Sequence, residues 1–245
     1  MPEAGKRFIV TAHQANYLPY LGFFEKISVS DLFILVDDTQ FVKRGSFGWI
    51  NRNKILGPNG PQWLTLPVET HDKYDQCISD VKISQKTPWR RKHLRSIEVA
   101  YRKSPYFDRL FPELKKIYEQ DWCDLLAISS KMIDWVLREL KIDTPQMLSS
   151  SLELKGSSSD YVLELAQKSG ATHYLSGMHG RDYLDLDKFE SAKMSLIFQD
   201  FKCLPYPQGK QSEFVSHLST LDALFWVGPE KTSELLRDGA DYKLP

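Results

Sequence analysis

Residues 8–36 read FIVTAHQANYLPYLGFFEKISVSDLFILV, and this stretch decides the fold. Phe8–Thr11 is a short apolar strand running into a polar turn. From Leu21 to Ser28 the spacing becomes helical, with Leu21, Phe24 and Ile27 on one face. Leu32–Val36 is an unbroken apolar run, as expected of a strand covered on both faces. Strand, helix and strand over so short a span form a βαβ unit, whose crossover is right-handed in about 98% of cases. The expected class is α/β, with a Rossmann-like, mostly parallel sheet.

Outward from this unit, Trp49–Ile55 and Gln62–Val68 read as strands, and Gly57-Pro58-Asn59-Gly60 turns them into a hairpin. Residues 88–145 read as a helical subdomain. Pro88 suits a first turn and its helix runs to Lys103, where Ser104-Pro105 breaks it. Pro112 opens a second helix through Glu113–Gln120. Within Asp121–Leu140 an apolar stripe joins Leu125, Ile128, Met132, Trp135, Val136 and Leu140. After Pro145 the chain returns to α/β. Gln146–Leu154, Thr172–Ser176 and Ser195–Phe198 read as strands. Ser157–Asp160 caps a helix Tyr161–Ser169 that ends at Gly170, and Leu218–Val227 is an apolar helix before a fraying tail from Asp238. Residues 1–87 and 146–245 are thus two α/β halves around a helical insertion, expected to form one integrated domain.

The chain has 245 residues, 32 basic against 32 acidic, 42% hydrophobic and 26% charged. That composition excludes a disordered or collagen-like chain. A net charge of +0 argues against bulk electrostatic binding to nucleic acid or an anionic membrane. Cys77, Cys123 and Cys203 are far apart with no CxxC, which reads as free thiols in a reducing compartment, with Cys123 in the helical core. No secretory pattern opens the sequence, and no run approaches the ~18 apolar residues of a membrane span. A cytoplasmic protein without membrane insertion is expected.

Four polar clusters follow expected strands, where open α/β sheets bind ligands. In the first, His13, Gln14, Asn16 and Tyr17 occupy a strand-to-helix turn, beside helix N–H groups that favour anions. In the second, Asp37, Asp38 and Gln40 end a strand; the carboxylates could hold a cation or orient hydroxyls, but neighbours on extended chain should point apart. In the third, period-two alternation sets Asn51 and Asn53 on one face, with Ile50, Arg52 and Lys54 on the other. In the fourth, Ser176, Gly177, Gly180, Arg181 and Tyr183 lie where two glycines three apart could make a backbone nest for phosphate. His13, Asn16, Asp37, Gln40, Asn51 and Arg181 are expected to line one pocket. No P-loop, GxGxxG, GxSxG, HExxH or zinc spacing is present, so no metal site is expected. Trp89–His93 is a basic, aromatic-led segment that reads as a solvated helix face or a docking site for an acidic partner. His71 and His93 read as surface or satisfied structural residues.

Together HQANYLPYLGFFEKI, VDDTQF, NRNKI, YRKSPYF, YLSGMHGRDYLD, FQDF, LPYPQ and HLSTLDALFWVG resemble the WbqC-like family over nearly the whole chain. Two departures are Ala15, where proline is common, and Ser216-His217, where a Pro-Asn-like pair is common. The resemblance implies a role in surface-polysaccharide or unusual-sugar biosynthesis, with acyl or aminoacyl transfer to an amino sugar as its most concrete chemistry. The opening also looks like that of pantothenate synthetase and its nucleotidylyltransferase relatives, though their HxGH-type turn is not met. That likeness implies His13 and Asn16 on phosphate, Gln40 on an acid, and Ser176, Gly177 and Arg181 on a nucleotide.

The expected function is therefore an enzyme acting on a nucleotide-linked or amino sugar. His13 would be its base, with Asp37 as second catalytic group. Gln14, Asn16, Tyr17, Asp38, Gln40, Asn51, Arg52, Asn53, Ser176, Gly177, Gly180, Arg181, Tyr183, Gln208 and His217 would bind substrate. The donors this admits are ATP or an acyl or aminoacyl thioester, and the partners are a sugar or nucleotide sugar and a carrier protein. The alternative is a non-catalytic sugar-binding or scaffold protein of a glycan assembly system.

Overall fold

A computed structural model describes residues 7–42 and 49–242. β1 (Ile9–Gln14), α1 (Leu21–Ser28) and β2 (Leu32–Val36) form the expected βαβ unit, with β1 and β2 parallel and His13 beside Leu35. Three further strands, β5 (Gln146–Leu148), β6 (His173–Ser176) and β7 (Ser195–Phe198), complete an all-parallel sheet in the order β5-β2-β1-β6-β7. Chain order moves from β1 outward through β2 to β5, then returns to build β6 and β7 on the other side of β1. This is the Rossmann 3-2-1-4-5 order, and its switch point is the gap between β1 and β6.

Alternation along β1 makes the two layers. Val10 and Ala12 face a small core with Ile34, Val36 and Tyr174, covered by α5 (Ser158–Lys168) and α6 (Leu186–Ser191) through Val162, Leu165, Ala166 and Phe189. The opposite face carries Phe23, Phe24, Ile27, Phe33 and Leu35. It packs with α2 (Trp89–Tyr101), α3 (Phe107–Glu119), α4 (Leu125–Leu140), α7 (Thr220–Gly239) and an antiparallel hairpin of β3 (Arg52–Gly57) and β4 (Gly60–Thr65).

Several boundaries differ from the sequence reading. Trp49–Asn51 is a turn, so Ile50 is not on the Arg52 and Lys54 face but fully buried in the larger core. α3 begins at Phe107, five residues before Pro112, and the Phe107 and Phe111 rings stack at 4.5 Å. α4 starts at Leu125; Cys123 lies in the link before it and is exposed, not core. Only Gln146–Leu148 of the expected Gln146–Leu154 strand pairs, and Ser149–Leu152 is a 3-10 turn. α7 continues through Pro229 to Gly239 after a kink at Gly228, whose φ is 80°. A Cβ there would lie 2.2 Å from the Tyr106 ring, so only glycine fits. The tail does not fray before Tyr242: Asp241 N–H donates to Asp200 O at 2.8 Å, and Tyr242 OH donates to Glu25 at 2.7 Å.

Candidate functional site: the crevice between β1 and β6

The β1–β6 ladder stops at Thr11 and Leu175. There side chains replace backbone pairing. Thr11 Oγ1 donates to Leu175 O at 2.8 Å, and Lys26 Nζ, from α1, donates to Ala12 O at 2.9 Å. Carried two residues further, the register sets Gly177 beside His13. A Cβ built on Gly177 meets nothing within 4 Å, so there is open space at the residue that follows β6. Gly180 cannot be replaced so freely: a Cβ there would lie 2.0 Å from Ser176 Oγ.

His13 is half-buried, its ring edge-on to Phe23 with centroids 4.9 Å apart. Nδ1 lies 3.1 Å from Gln14 O, a carbonyl that can only accept. This places the proton on Nδ1 and leaves Nε2 a bare acceptor. Burial pushes the imidazole pKa down to about 3, the Lys26 charge pushes the same way, and the Gln14 carbonyl opposes them. The imidazole is neutral at pH 7. Burial likewise lowers Lys26 to about 8, with the Glu25 charge working against it. Glu25 is itself buried, which raises its pKa, and it accepts from Tyr242 OH and Gln199 Nε2.

The remaining expected site residues separate into those near this crevice and those spent on structure. Gln14 Nε2 donates to Thr39 Oγ1 at 3.1 Å and ties β1 to the loop after β2. Asn16 N–H bonds Gln14 O, and its buried Oδ1 has no protein partner. Ser176 is 2% exposed and holds Tyr183, which reaches solvent. Arg181 is exposed at the rim, its guanidinium 4.3 Å from the Phe198 ring centre.

Asp37 and Asp38 do not point apart. The chain bends at Asp38, and Ser149 Oγ lies between the two carboxylates, 3.0 Å from Asp37 Oδ1 and 2.5 Å from Asp38 Oδ1. Asp37 also accepts from Ser150 N at 3.0 Å and Ser150 Oγ at 2.8 Å, and Asp38 from Tyr161 OH. They fasten β2 to the turn after β5. Asp37 follows β2 and Arg181 follows β6, two strands apart, roughly 10 Å at the usual inter-strand spacing. Asp37 is held by Ser149 and Ser150 while Arg181 lies over the Phe198 ring, so the two side chains make separate contacts.

Others are structural anchors. Gln40 is exposed and donates to Tyr74 O at 3.0 Å. Asn51 donates to Leu66 O at 2.8 Å, with Oδ1 buried and unpartnered. Asn53 donates to Leu18 O at 2.6 Å and accepts from Lys54 N, stapling the hairpin to the loop after β1. Arg52 lies 4.5 Å over Trp63. Gln208 donates to Val215 O at 3.0 Å and Asp222 Oδ2 at 2.8 Å. His217 is exposed beside the Tyr20 ring with φ 56°, the left-handed conformation that asparagine tolerates well.

Tyr17 is fully buried and cannot touch a ligand. Its hydroxyl lies 2.9 Å from His93 Nδ1 and bonds Tyr118 OH. His93 Nε2–H donates to Thr65 O at 3.2 Å, so Nδ1 accepts from Tyr17. Burial pushes His93 down to about 4, against the Thr65 carbonyl. Of the two readings of His93, the satisfied structural one is correct. Tyr17→Phe is expected to cost about 1–3 kcal/mol, the usual cost of an unmet buried acceptor. A lower urea midpoint at constant m, with unchanged ligand binding, is the check.

The sequence reading missed Lys26, Glu25, Gln199 and Asp222. Asp222 is fully buried and accepts from Tyr101 OH at 2.9 Å, Tyr206 OH at 3.0 Å and Gln208. Burial lifts its pKa to about 6, against all three donors. Among the described residues, no three His, Cys, Asp or Glu side chains come together as a metal site, and no helix is long and apolar enough to cross a membrane.

A sequence model of the WbqC-like protein family matches residues 14–234. An uncharacterized protein of Mycobacterium tuberculosis, Rv1507c, is 32% identical over 220 residues, covering 89% of this chain and 93% of that protein. No solved structure matches the chain.

Proposed function

The chain belongs to the WbqC-like protein family, and from the crevice beside its central strand we propose an enzyme of surface-polysaccharide or unusual-sugar biosynthesis. It transfers an acyl or aminoacyl group to the amine of a nucleotide-linked amino sugar. One observation carries the reading: a neutral His13, its Nδ1 committed to the Gln14 carbonyl, lies near the carboxyl end of the central strand at the switch point of a Rossmann-ordered sheet. A neutral imidazole there accepts a hydrogen bond from the sugar amine and aims the nitrogen lone pair at the activated carbonyl. The N–C bond forms, the thiolate or adenylate leaves, and the amine's proton passes through Nε2 to solvent. Arg181, exposed beside the Phe198 ring, supplies donors for a phosphate.

A second reading, binding without catalysis, is favoured by one fact. A catalytic base works best with a pKa near the working pH, whereas burial holds His13 at about 3. Melting the protein against nucleotides and amino-sugar nucleotides, then searching by mass spectrometry for N-acylated product with ATP plus amino acid or with acyl thioesters, separates the two. Stabilisation by a nucleotide sugar together with N-acylated product is the expected result; a 100-fold ligand excess over Kd stabilises by ~2.7 kcal/mol. Stabilisation without product selects the binding protein. No response to any nucleotide sugar removes both readings.

A further inference from the structure

Lys26 is 3% exposed and sits at the point where β1 and β6 part. An ammonium carries three donors. Lys26 Nζ has one hydrogen bond, to the neutral Ala12 carbonyl. Among the described residues no carboxylate lies within 4 Å of it. The adjacent Glu25 is turned to Gln199 and Tyr242 instead. Its other charged neighbour in effect, His13, is neutral. The Glu25 charge offsets only part of the cost of burying the ammonium and makes no contact with it, and a neutral donor would serve the Ala12 carbonyl as well. Gly177, the residue that follows β6, opens onto empty space.

We propose that Lys26 binds an oxyanion of the ligand: a phosphate or carboxylate oxygen enters the space at Gly177 and takes the remaining ammonium donors beside His13. The opposite charge compensates the buried cation, and two ligand hydrogen bonds complete its shell. This assignment rests on the reading that the β1–β6 crevice is the ligand site, and it names what that site recognises first. The sugar amine then falls toward His13.

The test uses the full chain and two probes, inorganic phosphate and acetate, against chloride at matched ionic strength. The melting temperature is expected to rise by about 3–6 °C in one anion or both, as an anion at roughly ten times its Kd produces in a chain of this size. A rise in phosphate alone identifies a phosphate subsite, and a rise in acetate alone a carboxylate subsite. Lys26→Met abolishes the rise and Lys26→Arg retains part of it. Wild-type protein that melts identically in all three salts overturns the assignment, as does Lys26→Met protein that responds as wild type does. Should Lys26→Met not fold, 13C-lysine NMR of the wild type decides. The ε-carbon signal missing from Lys26→Arg shifts on adding phosphate or acetate, and an unmoved signal overturns the assignment. Turnover separates this from the broader reading. Nucleotide-sugar acylation that survives Lys26→Met at the wild-type rate defeats the oxyanion role alone. An anion response through Lys26 without any nucleotide-sugar binding defeats the substrate reading alone.

Discussion

His13→Ala leaves the protein folded and lowers acyl transfer by roughly 10²–10⁴-fold, the range over which a positioned proton acceptor acts. The fold survives because the side chain gives the core little. It contributes one edge contact to Phe23 and a bond to the carbonyl of the next residue. A stability loss within about 1 kcal/mol is expected. The rate falls because the uncharged nitrogen lone pair that His13 supplies is lost. His13→Gln restores an acceptor without a titrating nitrogen. It is expected to recover ligand affinity and little of the rate, so KM and kcat respond separately. Full turnover in folded His13→Ala protein removes His13 from the mechanism.

Asp222→Ala produces the largest stability loss. The carboxylate holds three donors from two places: Tyr101 on α2, and Tyr206 and Gln208 on the segment leading into α7. Tyr101 OH also reaches Leu56 N on β3, so the same cluster braces the hairpin. Removing the acceptor leaves buried donors unpaired, at about 1 kcal/mol or more each, for a total of roughly 3 kcal/mol. The melting temperature should fall by about 10 °C for a chain of this length. A pH series identifies the charge. The folded pKa is raised, from 3.8 to about 6, so the folded state holds more protons across that interval. Stability contributed by this group is therefore lost as pH rises from about 4 to about 6. Asp222→Asn does not titrate, so its stability relative to wild type should improve over the same interval. A gap independent of pH contradicts the buried charge.

The βαβ unit was legible because its signals are local: an apolar run, a helical period and a second apolar run. The failures share a cause in distant partners. Ser149-Ser150-Ser151 looked like the middle of a strand, but their hydroxyls and N–H groups turn to Asp37, Asp38 and the Leu148 carbonyl. Gly228-Pro229 looked like a helix end; the kink instead lets Tyr106 pack against the backbone and the helix resume. The site was legible as residue types and opaque as geometry. Tyr17, Asn53 and Gln208 have the chemistry of ligand-binding groups, yet each spends it on chain brought close only by the fold. Lys26 was hidden for the converse reason. Glu25-Lys26 on an eight-residue helix with Phe23, Phe24 and Ile27 looks like a solvated face. Gln199 and Tyr242, from the far end of the chain, help to enclose it.

A crystal structure of the protein with an amino-sugar nucleotide tests the central claim most directly. The account predicts ligand between the carboxyl ends of β1 and β6, its amine within hydrogen-bond distance of His13 Nε2 and an oxyanion on Lys26 Nζ. Ligand seated instead in the groove of about 460 Å³ between α2 and α3, or against the edge of β7 in the groove of about 600 Å³ beside α6, with the β1–β6 crevice empty, would contradict it.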